Sequence, residues 1–285
     1  MSIHLVVGGY PAGQHAGHDM NTVRRRLLDL LAEHPRENVT VANDFADLHR
    51  WLAVSKLLVT YTAGPYPDGD NLTALDAWLA EGGRWLALHG SAGGRAVPVV
   101  EGGQARRMAK TGHHRTLGAF FLNHPPIRRF TVDVAPGAAQ ANPSATQLLA
   151  NVPLAFDTAD ELYLIEVTDP QATVLLTTDL AVDPTPERFG FVVPQDTSLL
   201  ADGRRRALGT LRLVERGDPN APGGVAYLAL GHCHGPGNNI QPFVDASVVA
   251  DGATPPTFTG SWDTEGFAQL LRNGIAWGLG GVSGG

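Results

Sequence analysis

The chain has 285 residues, with 21 Lys+Arg against 28 Asp+Glu, a formal net charge of −7, 11 His, 1 Cys and 43% apolar positions. The lone Cys233 excludes an internal disulfide, the acidic balance excludes a general binder of nucleic-acid phosphates, and no apolar run approaches the roughly 18 residues of a membrane helix. The opening MSIHLVVGGYPAG enters an apolar run without a basic leader, so the expectation is a cytoplasmic protein with no membrane partner.

Ile3-His4-Leu5-Val6-Val7 before Gly8-Gly9 predicts a short buried strand that ends in a turn. Val23, Leu27, Leu28, Leu30 and Leu31 then recur at helical spacing behind Asp19 and Asn21, either of which suits a helix cap. The alternation continues as strand 39–42, helix 45–52, strand 57–61, loop 63–70, helix 72–80 and strand 85–88. Such alternation specifies an α/β fold, a mostly parallel sheet with helices on both faces. Beyond Ser91 the stretch 92–112 is Gly-rich and aperiodic, 116–122 is a short helix candidate, and 130–134 and 161–165 alternate as strands do. Further strands are expected at 173–177, 207–215 and 225–230. The closing helix, 267–279, carries Leu270, Leu271, Ile275 and Trp277 inward. No linker separates the halves. The expectation is one domain over 1–285 with β-rich insertions and long loops near 92–112, 181–206 and 235–262, a length usually tied to function.

In open parallel sheets the ligand crevice lies beyond the carboxyl ends of the strands. Leu88-His89-Gly90-Ser91-Ala92 reads as a strand-to-helix elbow, a turn that presents one side chain at the mouth of the sheet. That side chain is His89, suited to proton transfer or metal binding and poorly suited to acyl chemistry. Ser91 is either a displaced nucleophile or, the reading favoured here, a small residue tolerated in the tight turn. His18-Asp19 either binds a substrate group at a helix N-terminus or splits into a cap and a loop histidine. His124, stiffened by Pro125-Pro126, is either a site residue or packed under the turn. Asp160-Glu161 opens a strand in this reading, with Glu161 and Tyr163 on one face and Asp160 on the other. His232 and His234 share a face if the chain there stays extended. His15, His113 and His114 read as solvated loop histidines.

Taken in order, several of these segments resemble the ThuA-like (trehalose utilisation) family of the class I glutamine amidotransferase-like superfamily. They are Gly8-Gly9-Tyr10 with His18-Asp19, Gly83 through Ala92, Phe121 through Ile127 before Phe130-Thr131-Val132, Asp160-Glu161-Leu162-Tyr163, Leu176 through Asp179, Leu230-Gly231-His232, and Leu271 through Trp277. The resemblance spans nearly the whole chain and implies a flavodoxin-like sheet with a pocket built from post-strand segments. It also implies a role in carbohydrate metabolism on trehalose or a related disaccharide, including keto-sugars. It does not imply glutamine amidotransfer, because the superfamily's elbow cysteine is His89 here, and a histidine cannot form the glutamyl thioester. The chain departs from the family's usual Gly-His-Asp run with Gly231-His232-Cys233-His234.

The candidate catalytic residues are therefore His89, Glu161, His124 and His232, and the candidate substrate contacts are Tyr10, His18, Ser91 and Tyr66. Rings such as Tyr10 and Tyr66 suit the C–H faces of a sugar, whereas Trp85, inside a strand, reads as core. No cofactor is firmly expected, since no Gly-x-Gly-x-x-Gly or Walker pattern follows the first strand. A divalent metal such as zinc is compatible with His89, His124, His232 and His234, without any specific zinc spacing among them. The expected partner is a small-molecule carbohydrate handled by acid–base chemistry. The alternative is a non-catalytic sugar-binding or regulatory module on the same sheet. A homodimer is compatible with the long loops.

Overall fold

The computed structural model describes residues 2–9, 17–214 and 222–280. Strands β1 (Ser2–Gly8), β2 (Asn38–Ala42), β3 (Leu57–Thr62) and β4 (Arg84–Leu88) alternate with helices α1 (Met20–Ala32), α2 (Leu48–Leu52) and α3 (Gly69–Ala80). A hairpin follows, β5 (Arg95–Pro98) with β6 (Arg106–Ala109), then α4 (Gly112–Leu117), β7 (Ala119–Asn123), β8 (Arg128–Val134), α5 (Ala138–Ala141) and α6 (Pro143–Leu148). The chain continues through β9 (Ala155–Asp160), β10 (Leu164–Val167), β11 (Thr173–Asp179), β12 (Arg205–Val214), β13 (Gly223–Leu228) and the closing α7 (Glu265–Gly278).

Nine strands form one sheet in the order β2-β1-β3-β4-β13-β12-β11-β8-β9. The half from β2 to β13 is parallel and follows the doubly wound flavodoxin-type order. From β13 to β9 every pairing is antiparallel. The sheet is therefore mixed, which corrects the expectation of a mostly parallel one. The first strands are separated by crossover helices, which permit parallel pairing, whereas β11, β12 and β13 follow one another without a helix and pair antiparallel.

Helices cover both faces. On one, α1 and α7 place Val23, Leu27, Leu31, Leu270, Leu271 and Trp277 against Ile3, Leu5, Val59 and Leu86. On the other, α2 and α3 place Leu48, Leu52, Leu75 and Trp78 against Val6, Leu58 and Trp85. The inward alternation of β1 and β3 thus feeds two apolar layers, as strands buried on both faces require.

Three local expectations change. The helix candidate at 116–122 is two elements, α4 ending at Leu117 and β7 beginning at Ala119, because Gly118 (φ 83°) stops the helix in a left-handed conformation. The strand expected at 161–165 is split: β9 closes at Asp160 and β10 opens at Leu164, leaving Glu161, Leu162 and Tyr163 between them. The stretch 92–112 contains the β5–β6 hairpin.

The segments after β4 and β13 and the end of β9 meet at the mouth of the sheet. β4 and β13 pair in register, Leu88 opposite Leu228, so the segments after each leave side by side. Flat strands would place β9 four spacings from β13, about 19 Å at about 4.8 Å per step. Yet the carboxylate just past this distance, Asp160, accepts from the Gly231 backbone at 2.8 Å. The antiparallel half therefore curls back over the mouth, the sense of strand twist accumulated over several strands.

Candidate active site

His89 follows β4 in a left-handed conformation, φ 41°, which costs a non-glycine residue about 1–3 kcal/mol. The elbow is held on all sides. Tyr227 donates to the His89 carbonyl at 2.9 Å and Tyr66 to the Gly90 carbonyl at 2.8 Å. A Cβ at Gly90 would stand 2.3 Å from the Thr62 carbonyl oxygen, so only glycine fits there. The His89 ring stacks on Tyr163 at 4.0 Å.

Each remaining histidine is brought in by a different segment. The Asp19 backbone donates to the Cys233 carbonyl at 2.7 Å, which ties the start of α1 to the segment after β13. Asp19 itself caps α1, accepting from the Asn21 and Thr22 backbones at 3.1 and 3.0 Å. This frees the preceding residue for the site, and His18 Nε2 lies 3.8 Å from Glu161 Oε2. Asp160 accepts from the backbones of Gly231 and His232 at 2.8 and 2.9 Å and from the Ser261 hydroxyl, so it positions His232 without facing the site.

All four rings converge on the buried Glu161 carboxylate. Oε2 is 3.3 Å from His89 Nε2 and 3.1 Å from His232 Nδ1; Oε1 is 3.8 Å from His124 Nε2 and accepts from Gln241. The far nitrogen of each ring fixes its proton. A carbonyl oxygen can only accept, so His89 Nδ1 donates to Ala229 at 2.7 Å, His124 Nδ1 to Pro125 at 2.8 Å, and His234 Nε2 to Pro255 at 2.9 Å. Neutral His234 then accepts at Nδ1 from His232 Nε2, 3.0 Å away. In their neutral forms His89, His124 and His232 all turn a bare nitrogen lone pair toward a carboxylate that has only lone pairs to offer.

Lone pairs facing one another in a buried space demand a proton or a cation between them. Burial acts to raise the Glu161 pKa, but the His124 and His232 rings, with bonds from His232 and His89, hold the carboxyl well below its ordinary range. It is ionised, and the positive charge belongs to the rings or to a bound ion. His18, His89, Glu161 and His232 offer ligand atoms within 4.8 Å of one another. With the far nitrogens of His89 and His232 held by hydrogen bonds, as ligating histidines usually are, the set fits a divalent cation such as zinc. The expected metal set changes accordingly: His124 and His234 lie outside it, His234 because its Nδ1 is bonded to His232, and His18 takes a place in it.

Other expectations are redistributed. Ser91 does not face the site; its hydroxyl bonds Thr60 Oγ1 at 2.9 Å inside the turn. Tyr66 lies behind the elbow, stacked on His113 at 4.9 Å. His113 and His114, expected in solvent, are buried on α4, where their Nε2 atoms donate to the Ser91 and Gly93 carbonyls at 2.8 Å. Burial lowers the His113 pKa to about 3. Cys233 is a buried thiol pushed up to about 12, by burial first and then by Asp19. Tyr10 and His15 lie outside the described residues. The sequence reading missed Gln241, Tyr163 and the clamping role of Asp160. Gln241 sits in an irregular segment with no periodicity to mark it, whereas the Asp160-Glu161 pair was visible and only its strand position was misread.

Crystal structures of two proteins described as ThuA-like share this fold over nearly their full lengths. The one from Parabacteroides merdae ATCC 43184 superposes with a TM-score of 0.56 at 15% identity, covering 100% of this chain and 92% of that one. The one from Bacteroides uniformis ATCC 8492 gives 0.56 at 14%, covering 98% and 91%. The chain has the ThuA-like fold. On this fold the elbow carries His89 and the chain's single cysteine is buried in the core. No family model and no curated protein matches the sequence. Among the described residues no helix is long and apolar enough to cross a membrane.

Proposed function

We propose that this chain performs acid–base chemistry on a small sugar derivative at Glu161, the substrate being a keto form of a disaccharide such as trehalose. One observation carries the reading: ring nitrogens of His89, His124 and His232 converge on a single buried carboxylate, at 3.3, 3.8 and 3.1 Å. A keto group on a sugar ring acidifies the neighbouring C–H, and an imidazole held against the Glu161 carboxylate can take that proton while a second ring returns one to a departing or rearranging oxygen. His124 is the ring best placed to exchange protons with the substrate, because its side chain is the most exposed of the four that face Glu161. His89, wedged against Tyr163 and bonded to Ala229, holds orientation. His18, His89, Glu161 and His232 would hold a divalent cation, which when bound polarises a carbonyl or hydroxyl oxygen.

The alternative, a sugar-binding module without catalysis, needs no convergence of titratable groups. The convergence supports the catalytic reading. Its test is turnover of keto-trehalose followed by NMR: Glu161→Gln and His89→Ala should each lower the rate by about 10²–10⁴-fold. Unchanged turnover in both variants, or none by the wild-type protein across a panel of keto-disaccharides, overturns it.

A further inference from the structure

The two long irregular segments meet at the site. Gln241, from the later one, donates to Glu161 Oε1, and two residues on, Phe243 packs on Phe189 of the earlier one with ring centroids 5.3 Å apart. Phe189 in turn sets its edge against His124 at 5.7 Å, and His124 returns to Glu161 at 3.8 Å. These contacts form a closed frame, Glu161 to Gln241 to Phe243 to Phe189 to His124, around the mouth of the candidate site.

Beside the frame, and sharing Phe189 with it, lies a cleft of about 740 Å³ lined by Arg106, Asn123, Asp183, Thr185, Arg188 and Phe189, among others. Its volume is within the roughly 300–1,000 Å³ of small-molecule sites. The cleft wall is built firmly. The Phe191 backbone donates to Asn123 Oδ1 at 2.9 Å, and the Val192 backbone to the Arg106 carbonyl at 2.8 Å. Gly190, at φ 68°, passes so close to Asn123 that a Cβ would stand 2.3 Å from its Oδ1. Arg188 is held left-handed at φ 66°, a conformation non-glycine residues keep where surrounding structure imposes it, often at ligand clamps. Phe243 is not part of the cleft lining; it packs on Phe189 and remains 40% exposed, a large apolar ring left in solvent.

In the cleft Phe189 stands beside carboxylate, guanidinium, amide and hydroxyl groups, and Phe243 extends its apolar surface outward; this matches a pyranose, whose C–H face packs on an aromatic ring while its hydroxyls bond polar neighbours. We propose that Phe189 and Phe243 form an aromatic subsite for the second ring of a two-ring carbohydrate whose first ring reacts at Glu161. The inference rests on the function proposed above, and it deepens that function by assigning recognition of the second ring to the two long segments.

The test compares binding of trehalose, maltose and cellobiose with that of glucose, by calorimetry, on the wild-type chain and on Phe243→Ala, Phe189→Leu and Glu161→Gln. Phe243 is exposed, so its truncation leaves the core intact. At least one disaccharide should bind wild type better than glucose, and Phe243→Ala should weaken that disaccharide about tenfold, the loss expected for one aromatic contact, without weakening glucose. Phe189→Leu should act in the same direction, and Glu161→Gln should keep the disaccharide preference. Equal weakening of both sugars, no weakening, or no preference in wild type overturns the subsite. The two readings fail separately: a disaccharide preference that depends on Phe243 in a protein without turnover keeps the subsite and removes the acid–base reading, and turnover without that preference does the reverse.

Discussion

Asp160 and Glu161 are neighbours in sequence with opposite tasks: Asp160 bonds the backbones of Gly231 and His232, while Glu161 faces the rings those backbones position. The chain turns between β9 and β10, so consecutive side chains part, one into the scaffold and one into the site.

That division predicts different costs. Asp160→Ala leaves the Gly231 and His232 N–H groups and the Ser261 hydroxyl buried without this acceptor, at about 1–3 kcal/mol each. Urea unfolding should show a loss of at least about 3 kcal/mol. Glu161→Gln should lose much less stability while losing turnover. Equal destabilisation by the two variants would contradict the assignment.

The cluster should bind metal in solution. Chelator-stripped protein titrated with zinc is expected to take up one ion and rise in melting temperature, since a ligand that binds only the folded state stabilises it. His89→Ala and Glu161→Gln should abolish the rise, and His124→Ala should keep it. Elemental analysis of the purified chain checks the stoichiometry; zinc that does not raise the melting temperature would remove the four-ligand assignment.

Acid should destabilise the fold through buried histidines that do not face Glu161. Burial lowers His113 to about 3 and His4 to about 4 against an ordinary value of 6.5. Between those values and 6.5 the unfolded chain binds protons that the folded chain refuses. Their contribution is thus present above pH 6.5 and lost as pH falls toward 4 and 3, with a slope of up to about 1.4 kcal/mol per pH unit for each group. His4→Gln, which does not titrate, should flatten the decline between pH 6.5 and 4 in unfolding measured at several pH values.

Gly90→Ala should displace the elbow. The added methyl meets the Thr62 carbonyl oxygen at 2.3 Å, backbone that cannot rotate aside. Shifts of about 1 Å at a reacting group can cost on the order of 10²-fold in rate. The expected result is a folded protein by circular dichroism with turnover reduced by that order, and full activity would show that the elbow tolerates movement.

Much of this was legible in the residues. The periodicity of Val23, Leu27 and Leu31, and the apolar runs of β1, β3 and β4, follow from burial on defined faces, and local sequence records that directly. His89 was visible because a glycine-assisted turn after a strand has a local signature. The antiparallel half was harder: pairing direction depends on which strand the chain meets next, a non-local fact. The burial of His113 and His114 was missed because much of their surroundings comes from Tyr66 and Trp85, far from them in sequence. Gln241 and the Phe189–Phe243 pair are tertiary in origin for the same reason.

The residues that touch Glu161 run from His18 to Gln241, and the clamp that sets His232 joins the end of β9 to the turn after β13. A nascent chain that has not yet made β13 already holds the carboxylate and His18, His89 and His124, but lacks His232, Gln241 and the backbone donors that Asp160 requires. Assembly of the site must therefore wait for β13 and the segment after it, and recovery of its chemistry on refolding would report completion of the whole sheet.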